Sequence, residues 1–115
     1  MPDDSVVWTP TPDRVARSNL ARFMVRVGQQ AGRAFTDYDD LYRWSVDQPA
    51  AFWATLAEFT NVRFQRLGES VLEDGDKMPG ARWFAGSRLN FAENLLKYRD
   101  ARPAIIFRSE SGVRI

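Results

Sequence analysis

The stretch Pro49-Ala50-Ala51-Phe52-Trp53-Ala54-Thr55-Leu56-Ala57-Glu58-Phe59 decides the fold class. Its large apolar residues, Phe52, Trp53, Leu56 and Phe59, recur at i, i+1, i+4 and i+7, which is one face of a helical period. Just before it, Ser45-Val46-Asp47-Gln48-Pro49 interrupts one pattern and restarts another. Asp47 or Gln48 can cap, and Pro49 suits a first helical turn, where its missing N–H has no intrahelical role. The spacing predicts an amphipathic helix whose aromatic stripe is core.

Toward the N-terminus the same logic predicts two more helices. The first opens at Thr11-Pro12-Asp13: a capping hydroxyl, a first-turn proline and an acid that complements the helix dipole. Ala16, Leu20, Phe23, Met24 and Val27 follow on one face, and Arg14, Arg17, Arg22 and Arg26 fill much of the remainder as a solvated polar face. Gly28 and Gly32 mark its end. The second opens at Thr36-Asp37-Tyr38-Asp39, with Thr36 as the expected cap and Asp39 placed to reach back to it. Tyr38, Leu41 and Trp44 share one side. Residues 1–10 read as an extended lead-in whose Trp8 tucks against a neighbouring element.

Beyond the third helix the periodicity dissolves from Asn61 to about Leu89. Gly68, Gly75, Pro79, Gly80 and Gly86 punctuate this stretch, yet it carries Phe64, Leu67, Val71, Leu72, Trp83 and Phe84. Long irregular connections are uncommon in compact domains, so one this apolar is expected to lie packed on something. Three helices offer limited surface, and a missing partner is inferred. Asn90-Phe91-Ala92-Glu93 starts a short helix, with Phe91, Leu95 and, at its margin, Leu96 expected to face inward, ending near Tyr98. Pro103-Ala104-Ile105-Ile106-Phe107 reads as a strand apolar on both faces. Ser109-Glu110-Ser111-Gly112 is a turn, and Val113-Arg114-Ile115 begins a returning strand. An isolated hairpin is marginal in water. The chain therefore reads as an α+β fragment, a mainly helical region over 1–102 leading at 103–115 into the first hairpin of a larger domain.

Composition narrows the function. Sixteen basic and fifteen acidic residues leave a net charge of +1, which argues against a nucleic-acid or membrane-surface binder. Only Lys77 and Lys97 are lysines, an arginine excess read as a genome-composition bias. There is no cysteine and no histidine, so thiol chemistry and the commonest base and metal ligand are missing. The start, Met1-Pro2-Asp3-Asp4, lacks an apolar secretory core, and no apolar run approaches the roughly 20 residues of a membrane span. A cytoplasmic location without membrane association is expected. Asp37, Asp39 and Asp40 are the oxygens a metal site would use, but a helix first turn favours acids anyway. Gly86-Ser87-Arg88 lacks the repeated glycines of a phosphate loop and reads as a structural turn. Nothing in the sequence brings Glu58 and Glu93 together as an acid–base pair. No catalytic, cofactor-binding or metal-binding residue is assigned.

Three segments carry a resemblance: Trp44-Ser45-Val46 followed by Pro49 and Phe52-Trp53; Met78-Pro79-Gly80-Ala81-Arg82-Trp83-Phe84; and Leu89-Asn90-Phe91-Ala92-Glu93-Asn94-Leu95-Leu96. Their order and spacing resemble the N-terminal region of acetoacetyl-CoA synthetases, in the acetyl-CoA-synthetase-like group of adenylate-forming ligases. The resemblance implies a larger α/β AMP-binding domain beginning at residue 103, with the rest of the ligase chain as partner. It implies a parent reaction in which a short acid, acetoacetate above all, attacks ATP to give an acyl-adenylate, from which coenzyme A displaces AMP. ATP, magnesium and coenzyme A are thus implied for the parent, and none for these residues. Acetate or propionate in place of acetoacetate, and a stand-alone module binding a full-length ligase, are the alternatives. By the resemblance, Trp53, Trp83 and Phe84 anchor the segment to the ligase body, and the segment by itself is inactive.

Overall fold

In a computed structural model, residues 6–114 are described. Residues 1–5 of the expected lead-in, and Ile115 of the expected returning strand, lie outside the described residues. Among the described residues, five helices and two short antiparallel strand pairs follow in the order α1 (Pro12–Ala16), α2 (Asn19–Ala31), α3 (Tyr38–Asp47), α4 (Pro49–Phe59), β1 (Leu72–Glu73), β2 (Arg82–Trp83), α5 (Phe91–Leu95), β3 (Phe107–Ser109) and β4 (Gly112–Arg114). The architecture is mostly helical, as the sequence patterns predict.

Helix α4 is the hub, packing against both α2 and α3. Phe23 and Val27 from α2 and Leu41 from α3 form the buried centre, ringed by Met24, Phe35, Trp44, Phe52, Leu56 and Phe59. Phe23 meets Phe52 edge-on at 5.7 Å and Phe59 at 5.2 Å between ring centroids, separations at which aromatic pairs attract beyond their area burial. Thr55 is the one polar residue among the described residues buried with this core. Its hydroxyl bonds back to Ala51 O (2.8 Å) and meets the Gln30 side chain, so the buried polar group is satisfied. Gln30 and Arg26 of α2 both reach Glu58 of α4, closing the α2–α4 seam with polar contacts at its rim.

Several expectations are corrected. The helix expected to run unbroken from Pro12 is two helices, because Ser18 is extended (φ −67°, ψ 154°) and accepts from Ala21 N–H as a fresh N-cap. Local capping at Ser18 outcompetes one more helical turn. Asp37, not Thr36, caps α3, accepting from Asp40 N–H at 2.9 Å. Thr36 Oγ1 instead donates to Asp37 Oδ2. Tyr38 stacks on Tyr42 at the surface and does not join Leu41 and Trp44 in the core. Gln48 occupies the cap position of α4 without a side-chain hydrogen bond. Phe91, Leu95 and Leu96 point to solvent, the reverse of the inward orientation expected. Helix α5 ends at Leu95, earlier than the Tyr98 expected. Only Phe107 of the expected 103–107 strand is in β3, which runs on to Ser109 and pairs with Gly112–Arg114. A strand needs a neighbour for its backbone groups, and residues 103–106 have none among the described residues.

The radius of gyration is 19.1 Å, against about 13 Å for a compact chain of this length. The molecule is therefore open, with many large apolar side chains left at the surface.

Candidate functional site

The irregular segment 61–89 is folded back on α4 by backbone bonds that its sequence does not advertise. Arg66 and Arg88 form a two-way bridge, Arg88 N donating to Arg66 O at 2.8 Å and Arg66 N to Arg88 O at 3.2 Å. The Arg66 guanidinium donates twice to Gly86 O (2.7 and 2.9 Å). Gly68 passes so close to the 85–87 backbone that a Cβ there would overlap the Ala85 carbonyl oxygen. Only glycine permits that approach. Strands β1 and β2 pair Leu72 with Trp83 and Glu73 with Arg82, and the last two side chains also form an ion pair.

These ties aim the aromatic residues of the segment at α4. Trp83 meets Trp53 edge-on at 5.9 Å, and Phe84 lies 5.6 Å from Phe64. Phe84 adopts a left-handed backbone (φ 46°) to do so, a conformation uncommon for a bulky residue. Between α4 and the segment lies a cleft of about 460 Å³ lined by Trp53, Leu56, Ala57, Thr60, Val62, Phe64, Trp83, Phe84, Ser87 and Leu89. Trp53 and Trp83 remain 44% and 45% exposed at its mouth. The residues singled out as anchors are thus brought together, and each still has surface to offer.

The chemistry of the lining is limited. It contains no acid, base or cation. Thr60 Oγ1 donates to Leu56 O (2.7 Å), and Ser87 Oγ accepts from Gly68 N (2.9 Å). Both hydroxyls are engaged in holding the fold, so the cleft can receive apolar surface but has no group placed to move a proton. Gly86-Ser87-Arg88 is used in this turn, as its sequence suggested. Glu58 is held by Arg26 (3.0 Å) and Gln30, while Glu93 sits in the first turn of α5.

The Asp37–Asp39–Asp40 cluster is structural at two of its three positions. Asp37 caps α3, and Arg33 donates to both Asp40 oxygens at 2.9–3.0 Å. The hydrogen bond from Arg33, reinforced by its charge, holds the Asp40 carboxyl below its ordinary value. The same guanidinium lies 4.0 Å over the Phe35 ring, which packs edge-on against Trp44. Asp100 is likewise held low by hydrogen bonds from Arg102. No group of three His, Cys, Asp or Glu among the described residues is placed to hold a metal ion.

One residue the sequence patterns missed is Asn94. Its Oδ1 accepts from Arg63 N (2.7 Å), and its Nδ2 donates to Arg63 O (2.9 Å), so one amide side chain satisfies a whole backbone unit 31 residues away. No local signal singled it out, since Glu93 beside it in the same short helix is polar too. Trp8, expected to tuck in, lies beneath Arg14, whose guanidinium is 5.5 Å from the ring centroid. No helix among the described residues is long and apolar enough to cross a membrane.

The chain is similar to known proteins in sequence and in fold. The chain belongs to the family described as acetyl-coenzyme A synthetase N-terminus, which it matches over residues 38–95, from α3 to the end of α5. Among individual proteins, it is similar to acetoacetyl-coenzyme A synthetase of Rhizobium meliloti, 44% identical over 93% of this chain and 16% of that enzyme. It is also similar to acetoacetyl-CoA synthetase of Macaca fascicularis, 36% identical over 93% of this chain and 16% of that one. A solved structure, acetoacetyl-CoA synthetase from Streptomyces lividans, superposes with a TM-score of 0.72 at 40% identity, over 78% of this chain and 14% of that one. The chain thus spans 16% of the length of these curated relatives.

Proposed function

We propose that the chain is the N-terminal segment of an acetoacetate–CoA ligase. In that enzyme the acetoacetate carboxylate attacks ATP to give acetoacetyl-adenylate and diphosphate, and the thiol of coenzyme A then displaces AMP. The observation that carries the reading is the match to acetoacetyl-CoA synthetases along almost the whole chain, at 44% identity in one case. The cleft supports a packing role: it is apolar, and its two hydroxyls are already bonded within the fold.

ATP, magnesium and coenzyme A belong to the proposed whole enzyme. The residues described here do not fit them: Asp37 and Asp40 are committed to a cap and an arginine pair, and Gly86-Ser87-Arg88 is committed to a turn. The segment is accordingly assigned no catalytic step and is inactive by itself. Residues 1–102 form the helical N-terminal domain, and residues 103–115 begin the large AMP-binding domain. The remaining ligase chain is the partner, and the cytoplasm is the setting.

The test is to express the reading frame carried past the codon for Ile115 and measure acid-dependent, CoA-dependent formation of AMP. Acetoacetate is expected to outperform acetate and propionate. Preference for either of those acids moves the segment to another synthetase of the family. No AMP with any of the three, or a frame that stops at Ile115, overturns the reading in favour of an interaction module.

A further inference from the structure

Helix α5 is mounted with its polar side in. Asn94 of α5 and Lys97, two residues past its end, are half-buried, while Phe91 and Leu95 are 75% and 69% exposed. The Asn94 amide grips both the N–H and the carbonyl of Arg63, and Nδ2 also reaches Asn90 O (3.0 Å). Lys97 Nζ donates to Thr60 O (2.8 Å) at the C-terminus of α4, where the end of the helix dipole attracts a cation. Any rotation that turned Leu95 inward would break these bonds and leave Arg63 without its partner. The orientation is thus held by hydrogen bonds and not by burial of the helix's own apolar side chains.

Leu95 belongs to a larger apolar group. With Leu96, Tyr98, Pro103 and Ile105 it lines a notch of about 520 Å³, to which the paired Asp100 and Arg102 also contribute, and β3 starts two residues after Ile105, at Phe107. Single exposed apolar residues are ordinary, but a contiguous apolar patch marks an interaction surface. We propose that this notch docks on the body of the ligase, and that Asn94 is the positioning residue that presents it. The proposal rests on the ligase reading above. The body is the occupant because the relatives devote more than four-fifths of their length to residues outside the matched segment. Moreover, the outer edge of β3, which begins two residues after Ile105, has no partner among the described residues. A sheet continued by the body would bring that body against the notch.

The test uses the full-length enzyme, with Leu95→Cys and Val25→Cys labelled by a soluble maleimide and read at each site by mass spectrometry. Val25 is 63% exposed on α2, comparable to Leu95. Leu95→Cys is expected to label roughly tenfold more slowly than Val25→Cys, as for a site that must open before it reacts. Adding Asn94→Leu should abolish that protection without changing labelling at Val25. Asn94→Asp, which keeps the acceptor for Arg63 N–H, should restore part of it. Lys97→Met provides a second, milder loosening of the same helix should Asn94→Leu fail to fold. Equal labelling of Leu95→Cys and Val25→Cys in an enzyme that still makes acetoacetyl-CoA overturns the docking proposal and leaves the ligase reading standing. Protection that grows with protein concentration assigns the notch to a second copy and also overturns it. Protection untouched by Asn94→Leu removes the positioning role. Failure of the ligase reading shows separately, as unaltered enzyme that forms no AMP.

Discussion

Replacing Phe23 with alanine should remove the helical unit's cooperative unfolding. Phe23 is one of three apolar side chains, with Val27 and Leu41, that form the buried centre. It touches both ends of the α4 stripe, Phe52 edge-on at 5.7 Å and Phe59 at 5.2 Å. Truncating a buried Phe costs about 3–5 kcal/mol through lost transfer energy and the cavity left behind. A small domain whose total stability is about 5 kcal/mol has little left after that loss. With a urea slope near 1 kcal/mol per molar, the midpoint should fall by about 3–5 M. Phe23→Leu keeps most of the volume and should shift the midpoint by about 1 M or a little more. Val25→Ala, on the exposed side of the same helix, should change stability by less than about 0.5 kcal/mol. Urea titration followed by far-UV circular dichroism and by tryptophan fluorescence reads all three, since Trp44 packs at the edge of this core. A loss below about 1 kcal/mol for Phe23→Ala, well short of a buried-Phe truncation, or one equal to that of Val25→Ala, would refute this account of the core.

Two further expectations follow from single contacts. Gly68→Ala should destabilise by about 1–3 kcal/mol, because the new Cβ meets backbone at Ala85 and not a movable side chain; an unchanged melting midpoint would mean that the 66–88 bridge is not tight. Asp40→Asn should flatten the acid limb of the stability profile. Arg33 lowers the folded-state pKa of Asp40, so the stability it contributes is present above the unfolded-state value and disappears as pH falls through the folded-state value. Below about pH 4 the melting midpoint of the parent should therefore drop further than that of the variant, and parallel profiles would contradict the pairing.

The α4 stripe was legible from residue order for Phe52, Leu56 and Phe59, because a helical period that places them on one face needs no knowledge of the partner; Trp53, read into the same core stripe, is instead 44% exposed and outside the core cluster. The caps at Thr11 and Asn90 were legible for the same reason: each acts on a backbone N–H three residues away. Ser18 and Asp37 were also local, yet the patterns misjudged them, since an apolar period can run straight through a break and two neighbouring capping residues compete. The cleft was half legible. Its aromatic residues were identified, but their meeting depends on the Arg66–Arg88 bridge and the close pass at Gly68, pairings between residues about twenty positions apart.

Sequence by itself determined where helices occur, though not the break at Ser18 or the end of α5, together with the aromatic content of the irregular segment and the kinship with the ligase N-terminus, because each is written in local order and spacing. Tertiary structure alone decided which way α5 faces. Its pattern offers Phe91 and Leu95 as an inward face, as in any short amphipathic helix, yet the Asn94 amide finds its partner on Arg63, 31 residues distant, and Lys97 finds the end of α4. Where an apolar stripe and a polar clamp compete to orient one turn of helix, the outcome rests on what lies across from each in space. Here a backbone unit needing both a donor and an acceptor lies across from the polar side.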